Sequence, residues 1–305
     1  MKRYIFIVLM LLAGLSLTAL YLFWGNPGAY ILTHIRIPRF ILTVVTGFSL
    51  AAIGSVYQLM LGNPLAEPYI LGVSSGSAFG SILFAAFGMI LLMPLGGFIG
   101  AIITMLLVWQ LAQKRGNFDP QRLIIAGVIV GMFFSSAISL MMYLNRQDTV
   151  LILGTLMGNL GRIFSVTEYR IFLILAALVT LLTAWLYLKS RALDILSSSD
   201  MYAASVGIDV ARLRRQIFFV SSLIVGIVVS YAGIIGFVGL ITPHIMRQIG
   251  LRNQKQIFPA SLFFGSVFLM GADFLAKNLS GIELPVGVIT AAVGCPFFIY
   301  LLLRK

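Results

Sequence analysis

Long stretches without a charged residue alternate with short polar breaks along the whole chain. The apolar runs are continuous rather than alternating, so they fit helices and not the two-residue period of a membrane β-barrel. A bilayer crossing needs about 20 apolar residues in a helix. On that measure the pattern predicts helix 1 over 4–24 and helix 2 over 40–61. The uncharged run from 68 to 113 is too long for one crossing, and "MPLGG" at 93–97 breaks it into helices 3 and 4. Helix 5 follows over 123–144, helix 6 over 171–188 and helix 7 over 216–232. A shorter helix 8 lies near 237–247, helix 9 near 257–277 and helix 10 near 284–303. The segment at 149–160, "TVLILGTLMGNL", is too brief to cross, and 189–215 is the longest polar stretch. The fold class expected is an all-α integral membrane protein with about ten transmembrane helices. It forms one membrane domain over 1–305, with both termini on one side.

Composition strengthens that picture. The chain is 60% hydrophobic with a mean hydropathy of +1.04, and 10% charged, against about 25% charged in an ordinary soluble domain. The net charge of +12 sits in the breaks between apolar runs, which points to membrane topology rather than to nucleic acid. With the N-terminus inside, Arg36, Arg39, Arg146, Arg162, Arg170 and Lys277 fall outside and the other 15 of the 21 basic residues inside. The positive-inside rule favours this orientation, with cytoplasmic termini. Arg36 and Arg39 face outward, against the trend. The N-terminus begins like a signal peptide, but its apolar stretch from Tyr4 to Trp24 is long enough to be a retained first helix. The single cysteine, Cys295, can form no intrachain disulfide.

Catalytic chemistry finds little purchase. None of the six lysines follows a glycine, so the chain carries no Gly-Lys-Ser/Thr phosphate loop. "GVSSG" at 72–76 matches a nucleophile pattern around Ser74, but such a serine needs a strand-turn-helix setting and a positioned base. Small residues in membrane helices more often permit close packing. His34 and His244 are far apart, and a zinc site wants three or four ligands, so no metal is expected. An ion-coupled secondary transporter of a small organic solute is the rival reading, yet it needs ionisable groups at mid-membrane. Asp273 is the exception in nearly charge-free spans, and Lys277, four residues on, shares its helix face. In the inner loop, "SSSDMYAASVGID" reads as a short helix over 199–207. Ser199 or Asp200 can cap its start and Gly207 can close it in a left-handed turn.

Six stretches, in order, carry a family resemblance: "RIPR" (36–39), "GNPLAEPYILGVSSGSAFG" (62–80), "AASVGIDVARLRR" (203–215), "GIIGFVGLITPHIMRQIG" (233–250), "GADFLAK" (271–277) and "ELPVGVITAAVGCPFF" (283–298). The chain resembles the permease subunits of ABC importers for vitamin B12, ferric siderophores and haem, which act in the bacterial cytoplasmic (inner) membrane. The resemblance implies a homodimer or a pair of similar permeases, two ATPase subunits beneath them and an extracytoplasmic substrate-binding protein above. It implies no enzyme activity and no cofactor in this chain, since ATP and magnesium belong to the ATPase. Arg36, Arg39 and Lys277 then match the cations that receive acidic residues of the binding protein. The loop helix with Ser199, Asp200, Tyr202, Ala204, Gly207 and Ile208 matches the element that couples to the ATPase. Met141, Met142, Asn145, Met157 and Asn159 are the corresponding candidates for the translocation path.

Overall fold

The computed structural model describes residues 2–114, 117–118, 120–144, 149–279 and 282–303. Apart from one two-residue strand pair, Gln113–Lys114 with Asn117–Phe118, its regular elements are helical. They run α1 (Lys2–Phe23), α2 (Ala29–Ile31), α3 (Ile37–Met60), α4 (Val73–Ala86), α5 (Met93–Ala112), α6 (Pro120–Leu144), α7 (Thr149–Met157), α8 (Val166–Leu188) and α9 (Ser190–Leu196). Then come α10 (Asp200–Ser205), α11 (Val210–Ala232), α12 (Val238–Gln248), α13 (Gln254–Asn278) and α14 (Val286–Leu303). Among the described residues six helical runs are long and apolar enough to cross a membrane, and Met10–Phe23, Val73–Ala86 and Val286–Leu301 are shorter apolar helices.

The second run starts earlier than its charges suggest. Helix begins at Ala29, and a π-turn over Leu32–Arg36 carries it into α3. Pro38 sits in the first turn of α3, where its missing N–H costs nothing. The run therefore passes through Arg36 and Arg39 without a break. Likewise α11 begins at Val210, ahead of the apolar stretch, because Asp209 caps it by accepting the Arg212 N–H at 2.9 Å.

Small residues set how closely the helices approach. A Cβ on Gly80 would lie 2.1 Å from the carbonyl oxygen of Gly96, and one on Gly100 would lie 2.1 Å from that of Gly76. The α4–α5 contact is thus backbone against backbone, the packing use of small residues in membranes. Ser74 is buried in that region. The same device joins α3 to α12, where a Cβ on Gly54 would come within 1.9 Å of the Gly239 oxygen. It also joins α3 to α13, where a Cβ on Gly47 would lie 2.6 Å from the Gly265 oxygen.

Two helices, α4 with 14 residues and α12 with 11, are shorter than a full crossing. Each follows an irregular segment, and the two segments hold one another. The Glu67 carboxylate accepts the Phe237 N–H at 3.1 Å, and the Tyr69 hydroxyl accepts the Ile235 N–H at 3.0 Å. Side chains thereby satisfy backbone groups that no helix ladder reaches. Phe237 sits at φ +70°, a left-handed conformation rare for a bulky residue. Gly233, at φ +73°, lies so close to the Thr155 oxygen that a Cβ would meet it at 2.4 Å.

Candidate functional site

Helix α13 is the axis on which the site is built. Its 25 residues span about 37 Å at 1.5 Å per residue. The N-terminal end is anchored by α9: the Asp194 carboxylate accepts the Gln254 N–H at 2.9 and 3.1 Å. The C-terminal end carries Asp273 and Lys277. The resemblance marks two clusters for different partners: the cations lie by the C-terminal end, and the loop helix packs on α9, which anchors the N-terminal end.

At the C-terminal end, α1 finishes, α3 begins and α13 finishes together. A cavity of about 200 Å³ there is lined by Tyr21, Trp24, Arg36, Arg39, Phe274 and Lys277 among others. All three expected docking cations thus share one pocket, but their states differ. Arg39 is buried, at 8% exposure, and makes a fork onto Asp273, Nε to Oδ2 at 2.8 Å and Nη2 to Oδ1 at 2.7 Å. The Tyr21 hydroxyl donates to the same carboxylate and lies 3.2 Å from Thr43 Oγ1. The Nη1 of Arg39 pairs with Glu283. Asp273 is therefore the partner of Arg39, where the sequence pointed to Lys277. Arg36 is half-buried; Nη1 donates to the Leu22 carbonyl at 2.8 Å, and its buried Nε has no hydrogen-bond partner among the described residues. Lys277 is exposed.

At the other end the loop helix forms as its sequence predicts. Ser199 is the cap, accepting the Tyr202 N–H at 3.0 Å. Asp200 instead turns to α11 and takes a fork from Arg214 at 2.6 and 2.8 Å. The helix closes at Gly207, φ +86°, with the Gly207 N–H on the Ala204 carbonyl and the Ile208 N–H on that of Ala203. That is the Schellman arrangement, and it needs the left-handed residue. Ala203 is buried and Ile208 packs on the core, which seats the helix on α9 and α11. Its outward face shows Met201, 86% exposed, with Tyr202 and Val206. Apolar side chains projected on a short rigid helix amid polar loop residues suit a partner surface. Desolvation raises the carboxyl of Asp194 above the usual aspartate range, and the Gln254 N–H offsets part of that.

The expected path residues separate. Met141 and Met142 are half-buried against a small core of Ala78, Ile82, Ile138 and Ile152. Met157 is exposed, and its carbonyl lies 2.3 Å from where a Cβ on Gly287 would be, so α7 and α14 touch through backbone. Asn159 is exposed, and its Oδ1 accepts the Gly161 N–H at 2.7 Å. It lines a larger cavity of about 640 Å³ together with Ser81, Thr155, Arg162, Glu168 and Tyr231. Arg162 pairs with Glu168 there, Nε to Oε1 at 2.8 Å, and its guanidinium lies over the Tyr231 ring at 5.8 Å. Asn145 lies outside the described residues. Glu67, Tyr69, Asp194 and Glu283 escaped the sequence reading, because each acts on a backbone or side chain far away in the chain.

Among the described residues no three His, Cys, Asp or Glu side chains cluster to hold a metal. His34 stacks on Tyr30 at 4.5 Å, and His244 packs edge-on against Phe297 and Phe298.

Comparison with known proteins places the chain in a family. The profile of the FecCD transport family matches residues 4–304. The vitamin B12 import system permease protein BtuC of Klebsiella pneumoniae is 32% identical over 295 residues, covering 92% of this chain and 87% of the relative. That of Vibrio cholerae is 32% identical, covering 98% of this chain and 90% of the relative. Among solved structures, an inward-facing conformation of a metal-chelate type ABC transporter superposes with a TM-score of 0.87 at 28% identity. It covers 97% of this chain and 98% of that one. PsaBC from Streptococcus pneumoniae, solved in complex with Fab, shares the fold with a TM-score of 0.61 at 20% identity.

Proposed function

The chain belongs to the FecCD transport family, and on that premise we propose that it is the membrane permease of an ATP-driven importer for a metal chelate or corrinoid: an iron-siderophore, haem or cobalamin. It is a transport subunit and does no chemistry on its cargo. It lies in the bacterial cytoplasmic membrane and works with a second permease, two ATPase subunits that hold ATP and magnesium, and an extracytoplasmic substrate-binding protein. In this reading it crosses the bilayer ten times with both termini in the cytoplasm. The six long apolar helices, the three shorter ones and α12 supply the crossings.

One observation supports the reading: the cationic pocket lies by the C-terminal end of α13, while the loop helix packs on α9, which anchors the other end of that 25-residue helix. A delivery protein on one face and a motor on the other need that separation. Exposed Lys277 and half-buried Arg36 supply positive charge for encounter and orientation, and Arg39 supplies a rigid base for them. Met201, Tyr202 and Val206 present the surface that an ATPase groove would grip. Large, varied chelates require a path with weak binding. The described walls suit that, since Arg162 and Glu168 neutralise each other and the methionines are soft and adaptable. Asp273, which a proton-coupled carrier would have to use, is committed to Arg39 and Tyr21.

Reconstitution tests the reading. The chain, co-expressed with candidate ATPases and a binding protein, is expected to purify as a complex and to import its chelate into proteoliposomes only with ATP. Uptake driven by an ion gradient without ATP would refute it.

A further inference from the structure

Arg39 holds two carboxylates that differ in how firmly they are held. Asp273 is 1% exposed, takes two N–H bonds of the guanidinium and receives the Tyr21 hydroxyl as well. Removing such a partner strands a buried charge. Glu283 is 45% exposed, lies on the segment before α14 and pairs with Nη1. A half-exposed carboxylate regains water when it leaves, so its exchange is cheap.

We infer that Glu283 is an internal stand-in for the docking protein's carboxylate. An acidic side chain arriving from outside displaces it from Nη1 of Arg39. This rests on the docking reading above and names the contact that docking must break. Arg36 and Lys277 border the same 200 Å³ pocket, and among the described residues the buried Nε of Arg36 has no hydrogen-bond partner. Two cations beside an arginine already engaged by one exposed carboxylate form a site for acidic side chains, with one position prefilled.

The displaced residue also has somewhere to transmit its release. The Oε2 of Glu283 lies 2.8 Å from where a Cβ on Gly161 would sit, so the carboxylate rests against the segment that walls the larger cavity. Its neighbour Leu284 donates to the Ala276 carbonyl, and Val286 donates to that of Gly158, both at 3.1 Å. Glu283 therefore stands between the docking pocket, α13, α14 and the cavity wall. Its departure frees the join between them.

The test uses the full permease in lipid nanodiscs, titrated with the substrate-binding protein that co-purifies with it. Glu283→Gln and Glu283→Ala are expected to tighten docking about two- to five-fold, the worth of one part-exposed ion pair. In the undocked permease they are expected to speed hydrogen exchange at the Leu284 and Val286 N–H groups toward the level that docking produces in the wild type. Arg36→Glu and Lys277→Glu serve as controls that weaken docking. Should both Glu283 variants dock no tighter while the controls still weaken it, Glu283 is no competitor and the inference falls alone. Should the controls leave docking untouched, or no binding protein be retained, the docking reading falls with it.

Discussion

Arg39–Asp273 and Arg214–Asp200 are the same interaction made twice, once between α3 and the C-terminal end of α13 and once between α10 and α11. Each is a two-pronged arginine–aspartate fork with bonds of 2.6–2.8 Å. Their settings differ: the Asp273 side chain is 1% exposed and that of Asp200 is 58% exposed. A surface fork is worth about 0–1 kcal/mol, whereas losing one partner of a buried fork costs about 3–5 kcal/mol. Identical chemistry thus yields a fixed strut at one end and an adjustable brace at the other. In the proposed reading, the buried fork gives the docking end a base that stays in place when a large protein lands on it, and the exposed one lets the coupling helix shift with its motor.

The sharpest way to break that contrast is Asp273→Asn. It is expected to destabilise the permease by about 3–5 kcal/mol, read as a large fall in melting temperature and yield in detergent. Replacing the pair together, Arg39→Met with Asp273→Leu, is expected to recover most of that stability while docking stays weak. If the single variant melts like wild type, the strut is not structural. Gly207→Ala comes next, since alanine at φ +86° costs about 1–2 kcal/mol. Ser199→Ala removes about 1 kcal/mol of capping. Both act locally, so global melting is expected to hold while ATP hydrolysis runs without uptake. Preserved coupling in both variants would reduce α10 to a connector. Asp200→Asn is expected to move stability by under about 1 kcal/mol, and a loss as large as that of Asp273→Asn would erase the contrast.

The smallest effect concerns pH. Burial raises the Asp194 carboxyl above the usual aspartate value of 3.8. A raised acid binds its proton more tightly in the folded state, so its contribution is fully present below the unfolded value. That contribution is lost as pH rises through the folded one. Wild type is therefore expected to gain slightly on acidification over that interval relative to Asp194→Asn, in paired melting curves. Parallel curves would show that the α9–α13 anchor does not titrate.

The helices were legible because lipid demands long apolar runs, and Ser199 and Gly207 because caps are local. The start of α3 was not: Arg36, Pro38 and Arg39 read as a loop, yet a π-turn and a first-turn proline let helix run from Ala29. Arg214 was equally obscured, since α11 absorbs a charged stretch that looks like loop. The docking cations were visible, but not that Arg39 is occupied. Its partner lies 234 residues away, and only the fold brings them together. Glu67 and Tyr69 were hidden for the same reason, as their acceptor oxygens meet backbone N–H groups 170 and 166 residues distant.

Everything rests on the two forks facing opposite sides of the membrane. With Cys295 replaced by serine, single cysteines at Asn278 and Ser205 are to be probed in intact cells with a membrane-impermeant thiol reagent, then again after permeabilisation. The account predicts labelling at 278 from outside and at 205 only after permeabilisation. Labelling of both from outside, or of neither until the membrane is opened, would contradict it.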